Sequence, residues 1–317
     1  MPHDLWPRPR LCRAFASPVM RIPDDVRKAV LFLGHGDDDH FQSVGTAFLL
    51  QYKDCRYLVT AEHIALGLGE DPFAIRVNRM DGTADTISVD PLDPETRARF
   101  GWITHPSAEH VDIAVAEFNI DLRGAGNDVL YLPEDILLDG ETGGPGHAIG
   151  VGDFCYAVGL FRKVGGQKRN VPVVHTGHIA LMPSDELIEV EDWRAPPNTR
   201  LAHVEAYLAE ISNLKGLSGA PVFARPVVDL DMRPILDVTA RMLAVDMKLI
   251  GVWQSSWDGW GIESDRPTRV PVGMGVVTPT YKLVEVLESS LAVARRNEFL
   301  AWCRSEAAAK PDATTIA

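Results

Sequence analysis

The 317-residue sequence predicts an all-β protein that ends in a long helix. Three observations predict it. Apolar residues fall in short runs or at period two from residue 28 to 118, and again from residue 152 onward. Clusters of Gly, Asp and Pro separate those runs, as in a barrel or sandwich of short strands. After residue 280 the pattern changes to Leu, Ala, Glu and Arg at helical spacing.

The elements follow in order. Residues 1–27 open with MPHDLWPRPRLCRAFASPVM, which has arginines but no continuous apolar stretch. They read as a flexible arm and not as a secretory signal. Met20 opens a more protein-like stretch and is a second candidate start. KAVLFLG, VGTAFLLQY, CRYLVTA, FAIRVNRM, DTISVD and DIAVAEF are strand candidates of a first unit, residues 28–125. HGDDDH, residues 35–40, offers metal-ligand types, but a solvated hairpin loop is the simpler reading. Residues 119–146 are rich in Gly, Pro and acids and read as a connection. A second unit, residues 126–280, contains GDFCYAVGLF, VPVVHTGHIALM, ELIEVE, AHVEAYLAEI, GAPVFARP, MLAVDMKLIGVWQ and GMGVVT. The polar DWRAPPNTR, residues 192–200, breaks that series as a surface loop. Residues 281–306 read as one amphipathic helix capped by Thr278 or Thr280. Leu283, Val286, Leu287, Leu291, Ala294 and Leu300 form its apolar face. Residues 307–317 read as a frayed tail.

Composition narrows the function. Hydrophobic residues make up 46% and charged residues 24%, an ordinary globular mix. A net charge of −13 argues against a nucleic-acid partner, because phosphate binding needs a basic face. No apolar run approaches the roughly 20 residues of a membrane span. Cys12, Cys55, Cys155 and Cys303 show no metal-ligand spacing. Cys55 and Cys155 lie in strand-like runs, as small buried hydrophobes do. Few cysteines and no signal point to a cytoplasmic location. No metal and no cofactor are expected.

GLSGAPVF, residues 216–223, places Ser218 on a glycine-flanked loop before an apolar strand. Gly and Ser fill turns for backbone reasons alone. A serine nucleophile, by contrast, needs a base, and the base needs a group to fix its tautomer. His63 ends LVTAEH, where a buried strand runs out into a loop. Asp112 heads the apolar strand HVDIAVAEF. The order His63, Asp112, Ser218 differs from that of subtilisins and α/β-hydrolases. The G-x-S-x-G elbow also fails, since Ala220 stands where its closing glycine belongs.

With GTAFLL…LVTAEH, DIAV and GLSGAPVF in that order, the chain resembles the trypsin-like, chymotrypsin-fold serine peptidases. It is closest in style to the bacterial cytoplasmic and HtrA-type members. VGDFCYAVGLF, LIGVWQSS and GMGVVTPT add weaker matches, and the resemblance covers residues 28–290. It implies two perpendicular six-stranded antiparallel β-barrels with the site between them. His63 would be the general base, Asp112 its orienting acid and Ser218 the nucleophile. Gly216 and Ser218 would supply oxyanion-hole N–H groups, glycine allowing the inward turn. Ser212 would sit at the base of the specificity pocket. Gln254, Ser255, Ser256, Gly273 and Gly275 would wall it. An uncharged Ser212 implies cleavage after uncharged residues, whereas a loop shifted to Glu210 would favour Lys or Arg. Leu217 replaces the acid that pairs with a freshly cut N-terminus in secreted trypsins, so activation of that kind is not expected. No PDZ-sized domain follows the helix.

The leading expectation is a serine endopeptidase acting on protein or peptide substrates. An esterase or transacylase would use the same three residues. A catalytically silent peptide-binding or signalling module on the same fold is the alternative from another class. The terminal helix and residues 226–248 are the candidate surfaces for a regulatory protein partner.

Overall fold

The computed structural model describes residues 23–309, apart from 70, 92, 94–100, 108–109, 139, 141–148, 165, 167, 197–198, 212–215, 226–246 and 264–265. Of residues 24, 258–272 and 307–309 it describes the backbone alone. Ser212, residues 1–22 of the arm, most of the 226–248 segment and residues 310–317 of the tail therefore lie outside the described residues.

The first half contributes β1 (Val30–His35), β2 (Gln42–Tyr52), β3 (Cys55–Thr60), β4 (Phe73–Asn78), β5 (Ala84–Val89), β6 (Ile103–Thr104) and β7 (Ala114–Glu117). They form one antiparallel sheet in the order β5-β4-β1-β2-β3-β7-β6. The second half contributes β8 (Phe154–Gly159), β9 (Val173–Leu181), β10 (Ile188–Glu191), β11 (Leu201–Val204), β12 (Tyr207–Glu210), β13 (Pro221–Ala224), β14 (Lys248–Glu263) and β15 (Arg266–Pro279). Six of these close a barrel in the order β12-β15-β14-β13-β8-β9, while β10 and β11 pair as a separate hairpin. The all-β class is borne out, and the second half closes with six strands as expected. The first half has a seventh strand, the two-residue β6.

Burial explains why many strands read as continuous apolar runs. Alternate residues of β1, Val30 and Phe32, join one core cluster, while Leu31 and Leu33 join another. In β2, Phe48 and Leu50 go with the first cluster and Ala47 and Leu49 with the second. A sheet covered on both faces needs apolar residues at every position. The second cluster fills the first half's own interior with Phe73, Ile75, Val77 and Phe118. The first cluster is a seam. It includes Val158, Leu160, Phe223, Leu249 and Val252 from the second half. A further cluster, with Cys155, Tyr207, Val222 and Trp253, fills the barrel.

Two expectations need correction. LVTAEH does not run out into a loop. Helix α1 (Glu62–Leu68) follows β3 at once, with His63 in its first turn. Ile64, Ala65 and Leu68 give it a buried face, and seven residues are too few to show a helical period in sequence. The C-terminal segment is two helices, α2 (Thr280–Leu287) and α3 (Ser290–Ala309). Ser289 caps α3 by accepting from the Ala292 N–H at 3.4 Å. Arg296 donates to the Leu287 carbonyl at 3.1 Å, satisfying an orphan acceptor of α2. The break rotates the apolar face. Ala292 is buried in the seam with Leu283, Val286 and Leu287, while Leu291 is exposed.

The HGDDDH run is a hairpin loop. The Asp37 carboxylate accepts from the Asp39 and His40 N–H groups at 3.1 and 2.9 Å.

Candidate active site

Asp112 lies two residues ahead of β7 and is fully buried. Its two oxygens hold His63 at two points. Oδ1 accepts the His63 backbone N–H at 2.9 Å, and Oδ2 faces the ring Nδ1 at 2.7 Å. The backbone bond satisfies one of the orphan N–H groups at the start of α1. The ring bond fixes Nδ1 as the donor and leaves Nε2 as the other titrating atom. Burial disfavours the charged imidazole. The Asp112 charge, its hydrogen bond and the Glu62 charge together outweigh burial, and the His63 pKa lies above its ordinary 6.5.

Ser218 sits on the loop before β13, with Leu217 and Ala220 buried on either side. Gly216 has φ of +118° and Gly219 has φ of +84°, values that favour glycine. A Cβ on Gly219 would overlap the Thr46 carbonyl oxygen and Thr60 Oγ1, and would lie 3.1 Å from the Ala61 nitrogen. The loop is thus pressed against the end of β3 and Ala61, two residues before His63. Thr46 of β2 fastens it there. Its N–H donates to the Ser218 carbonyl at 2.9 Å, and its hydroxyl donates to the Gly216 carbonyl at 2.8 Å. The same hydroxyl accepts from the Leu160 N–H at 2.9 Å, and the Thr46 carbonyl accepts from the Thr60 hydroxyl at 2.7 Å. The Ser218 hydroxyl donates to the Gln254 carbonyl at 3.2 Å and makes no hydrogen bond to His63. Among the described residues, no acceptor faces the Gly216 or Ser218 N–H.

Gln254 is the extra residue of a β-bulge. Trp253 pairs with Val277 and Ser255 pairs with Val276, which leaves Gln254 without a partner in the ladder. Its side chain is buried, and its Oε1 accepts from the Thr278 hydroxyl at 3.2 Å. Gln254 therefore meets Ser218 through its carbonyl, with its amide turned toward Thr278. Ser255 and Ser256 follow on β14, half-buried, and Ser256 pairs with Gly275. Gly273, φ +78°, lies two residues before Gly275 on β15. Glu210 ends β12, exposed and paired with Met274.

Sequence reasoning missed Thr46 and a second group of side chains. The DWRAPPNTR loop is not simply a surface loop. Arg194 and the Trp193 indole N–H donate to the Glu62 carboxylate at 2.9 and 2.8 Å, beside His63. His110, two residues before Asp112, packs edge-on against Trp193, and its Nε2 lies 3.3 Å from the buried Asp192. One turn of the second half thus grips both segments that carry His63 and Asp112. The lone polar Thr46 in the apolar run VGTAFLL was a visible signal. The pairing of Glu62 with Arg194 had none.

The two buried thiols, Cys55 and Cys155, offer no competing nucleophile. Burial pushes Cys55 up to about 11 and Cys155 up to about 12, so neither forms thiolate near neutral pH. Among the described residues, no group of three His, Cys, Asp or Glu side chains is placed to hold a metal ion. No helix among them is long and apolar enough to cross a membrane.

No protein-family model matches the chain, and no curated protein matches it. Among solved structures it is similar to the Rv3671c protease of M. tuberculosis. The active form aligns with a TM-score of 0.42 at 13% identity, over 86% of this chain and 93% of that one. The inactive form aligns with a TM-score of 0.41 at 12% identity, over 83% and 88%. At that distance the likeness carries no chemistry across, and what the site does rests on its own side chains.

Proposed function

We propose that this chain is a serine endopeptidase that works through His63, Asp112 and Ser218 and an acyl-enzyme intermediate. The observation that carries the reading is the two-point grip of buried Asp112 on His63, 2.9 and 2.7 Å, set beside the fastened Ser218 loop. A buried carboxylate that orients an imidazole leaves Nε2 free to act as a base.

The reaction follows from these parts. The Ser218 hydroxyl turns from the Gln254 carbonyl to His63 Nε2; such bonds tighten when substrate binds. Ser218 Oγ attacks the peptide carbonyl carbon, its proton passes to Nε2, and the carbonyl π electrons move to oxygen. The Gly216 and Ser218 N–H groups receive that oxyanion. Asp112 stabilises the imidazolium. The intermediate collapses, the C–N bond breaks, and His63 protonates the leaving amine. Water then repeats the sequence with His63 as base and frees the carboxylate product. On this reading residues 28–125 carry the base and acid, and residues 126–280 carry the nucleophile. Ser255, Ser256, Gly273 and Gly275 carry no charge, which favours cleavage after uncharged residues. The free thiols of Cys55, Cys155 and Cys303 fit a reducing cytoplasm.

A fluorophosphonate probe tests the reading, with hydrolysis of a denatured protein substrate in parallel. Labelling of the wild type at Ser218, lost in Ser218→Ala and His63→Ala, is the expected result. The double variant should be hardly worse than either single one, since such residues act as a unit. Strongly additive losses, or no labelling at all, would overturn it.

A further inference from the structure

One of the expected pocket walls, Gly275, is already covered by a side chain of the protein itself. Trp253 is 1% exposed and precedes Gln254 on β14. Its backbone is tied to the nucleophile loop: its carbonyl accepts from the Gly219 N–H at 2.9 Å, and its N–H donates to the Ala220 carbonyl at 2.8 Å. Its side chain belongs to the buried cluster that fills the barrel, together with Leu217, Ala220, Ala209 and Val277. There it covers Gly275. A Cβ on Gly275 would overlap the indole at Cη2, Cζ2 and Cζ3. Gly275 is thus the residue that makes room for the ring, and the ring takes the room that a glycine wall would leave for a substrate side chain.

We propose that Trp253 determines specificity by closing the floor of the substrate pocket beside Ser218, so that the chain cuts after glycine, alanine or serine and not after larger residues. The proposal rests on the reading of the site as a peptidase. The chemistry is steric. A side chain longer than a methyl or hydroxymethyl meets a buried ring that is packed on all sides and cannot yield without opening the barrel interior. The backbone contacts to Gly219 and Ala220 hold the strand that carries the ring at a fixed depth below the nucleophile. The exclusion therefore applies to the residue whose carbonyl Ser218 attacks.

The test is a matched peptide series that varies only the residue before the cut, Gly, Ala, Ser, Val, Leu, Met and Phe. It is run on the wild type and on Trp253→Val, with fluorophosphonate labelling of both. The wild type should cleave after Gly, Ala or Ser about tenfold or more faster than after Leu, Met or Phe, since one methylene in a pocket is worth roughly 10- to 200-fold. Trp253→Val should gain on Leu, Met and Phe and lose its preference for the small residues. If that variant does not fold, Trp253→Leu, which keeps more volume, should show a smaller shift of the same sign. Ser218 labelling together with equal or better wild-type cleavage after Leu, Met or Phe would overturn this proposal and leave the peptidase reading standing. So would an unchanged profile in a folded Trp253 variant. Absence of labelling would overturn both.

Discussion

Arg194 grips the carboxylate of Glu62, with Nε at 3.0 Å and Nη2 at 2.9 Å from the same oxygen. Glu62 is the residue before His63, and its charge helps to raise the His63 pKa. Arg194→Ala would leave that buried carboxylate without its cation. It should cost about 2 kcal/mol, below the value for a fully buried pair because Arg194 is 30% exposed. It should also move the acid limb of the rate profile to higher pH, because an unneutralised Glu62 holds the His63 proton more tightly. Glu62→Gln should move the limb to lower pH. Thermal melts and the pH dependence of kcat/KM check both, and equal shifts in one direction would refute the assignment.

The His63–Asp112 contact gives a second pH prediction. The base must be neutral to accept the Ser218 proton, so kcat/KM should fall as pH drops through a value above 6.5. In Asp112→Asn the largest raising cause disappears while burial remains, and the midpoint should fall. Activity should drop about 10⁴-fold, because the amide favours the wrong tautomer. Stability follows the same sign. A folded-state pKa raised above 6.5 contributes stability that is fully present below pH 6.5 and is lost as pH rises through the folded value. Melts of Ser218→Ala across that range, with and without Asp112→Asn, measure it.

Thr46→Val should separate fastening from packing. Valine keeps the shape but removes the donor to the Gly216 carbonyl and the acceptor for Leu160. Leaving buried partners unmade costs about 1–3 kcal/mol. Activity should fall by more than stability predicts, since the loop that presents Ser218 loses its tether. Thr46→Ser keeps the hydroxyl and should restore most of the rate. Rates and melts of the two variants decide it, and equal activity in Val and Ser variants would count against the tether.

Gly219→Ala should be more damaging than its size suggests. The added methyl meets the Thr46 carbonyl and Thr60 hydroxyl, and φ of +84° strains any L side chain. The backbone cost alone is about 1–3 kcal/mol. Fluorophosphonate labelling should slow sharply even where a circular dichroism spectrum shows the protein folded.

The strands were legible because a seam on one face and a core on the other demand apolar residues along β1, β2 and β3. The same fact blurred the ends. Helix α1 has only one buried stripe, Ile64, Ala65 and Leu68, which a strand reading absorbs without conflict. The helix break was hidden because Leu283, Leu287 and Leu291 keep four-residue spacing across it, and only the exposure of Leu291 reveals the rotation. At the site, the pairing of His63 with Asp112 was legible through the resemblance that the motifs around them carry, and the structure places the two side chains in contact. The bulge at Gln254 was not, since one extra residue in a ladder leaves no compositional trace. Nor was the reach of Arg194 to Glu62, which depends on how the β10–β11 hairpin lies across the other half.

The seam that draws Val30, Phe48 and Tyr57 together with Phe223, Val252, Leu283 and Ala292 has a thermodynamic consequence. Neither half owns it. Melting one would expose the apolar side chains of the other and strip the C-terminal helices from both. The chain should therefore lose its structure in a single calorimetric transition, with the van't Hoff and measured enthalpies equal. A split between the halves, expressed as two fragments, should leave each insoluble alone and recover structure only when both are present.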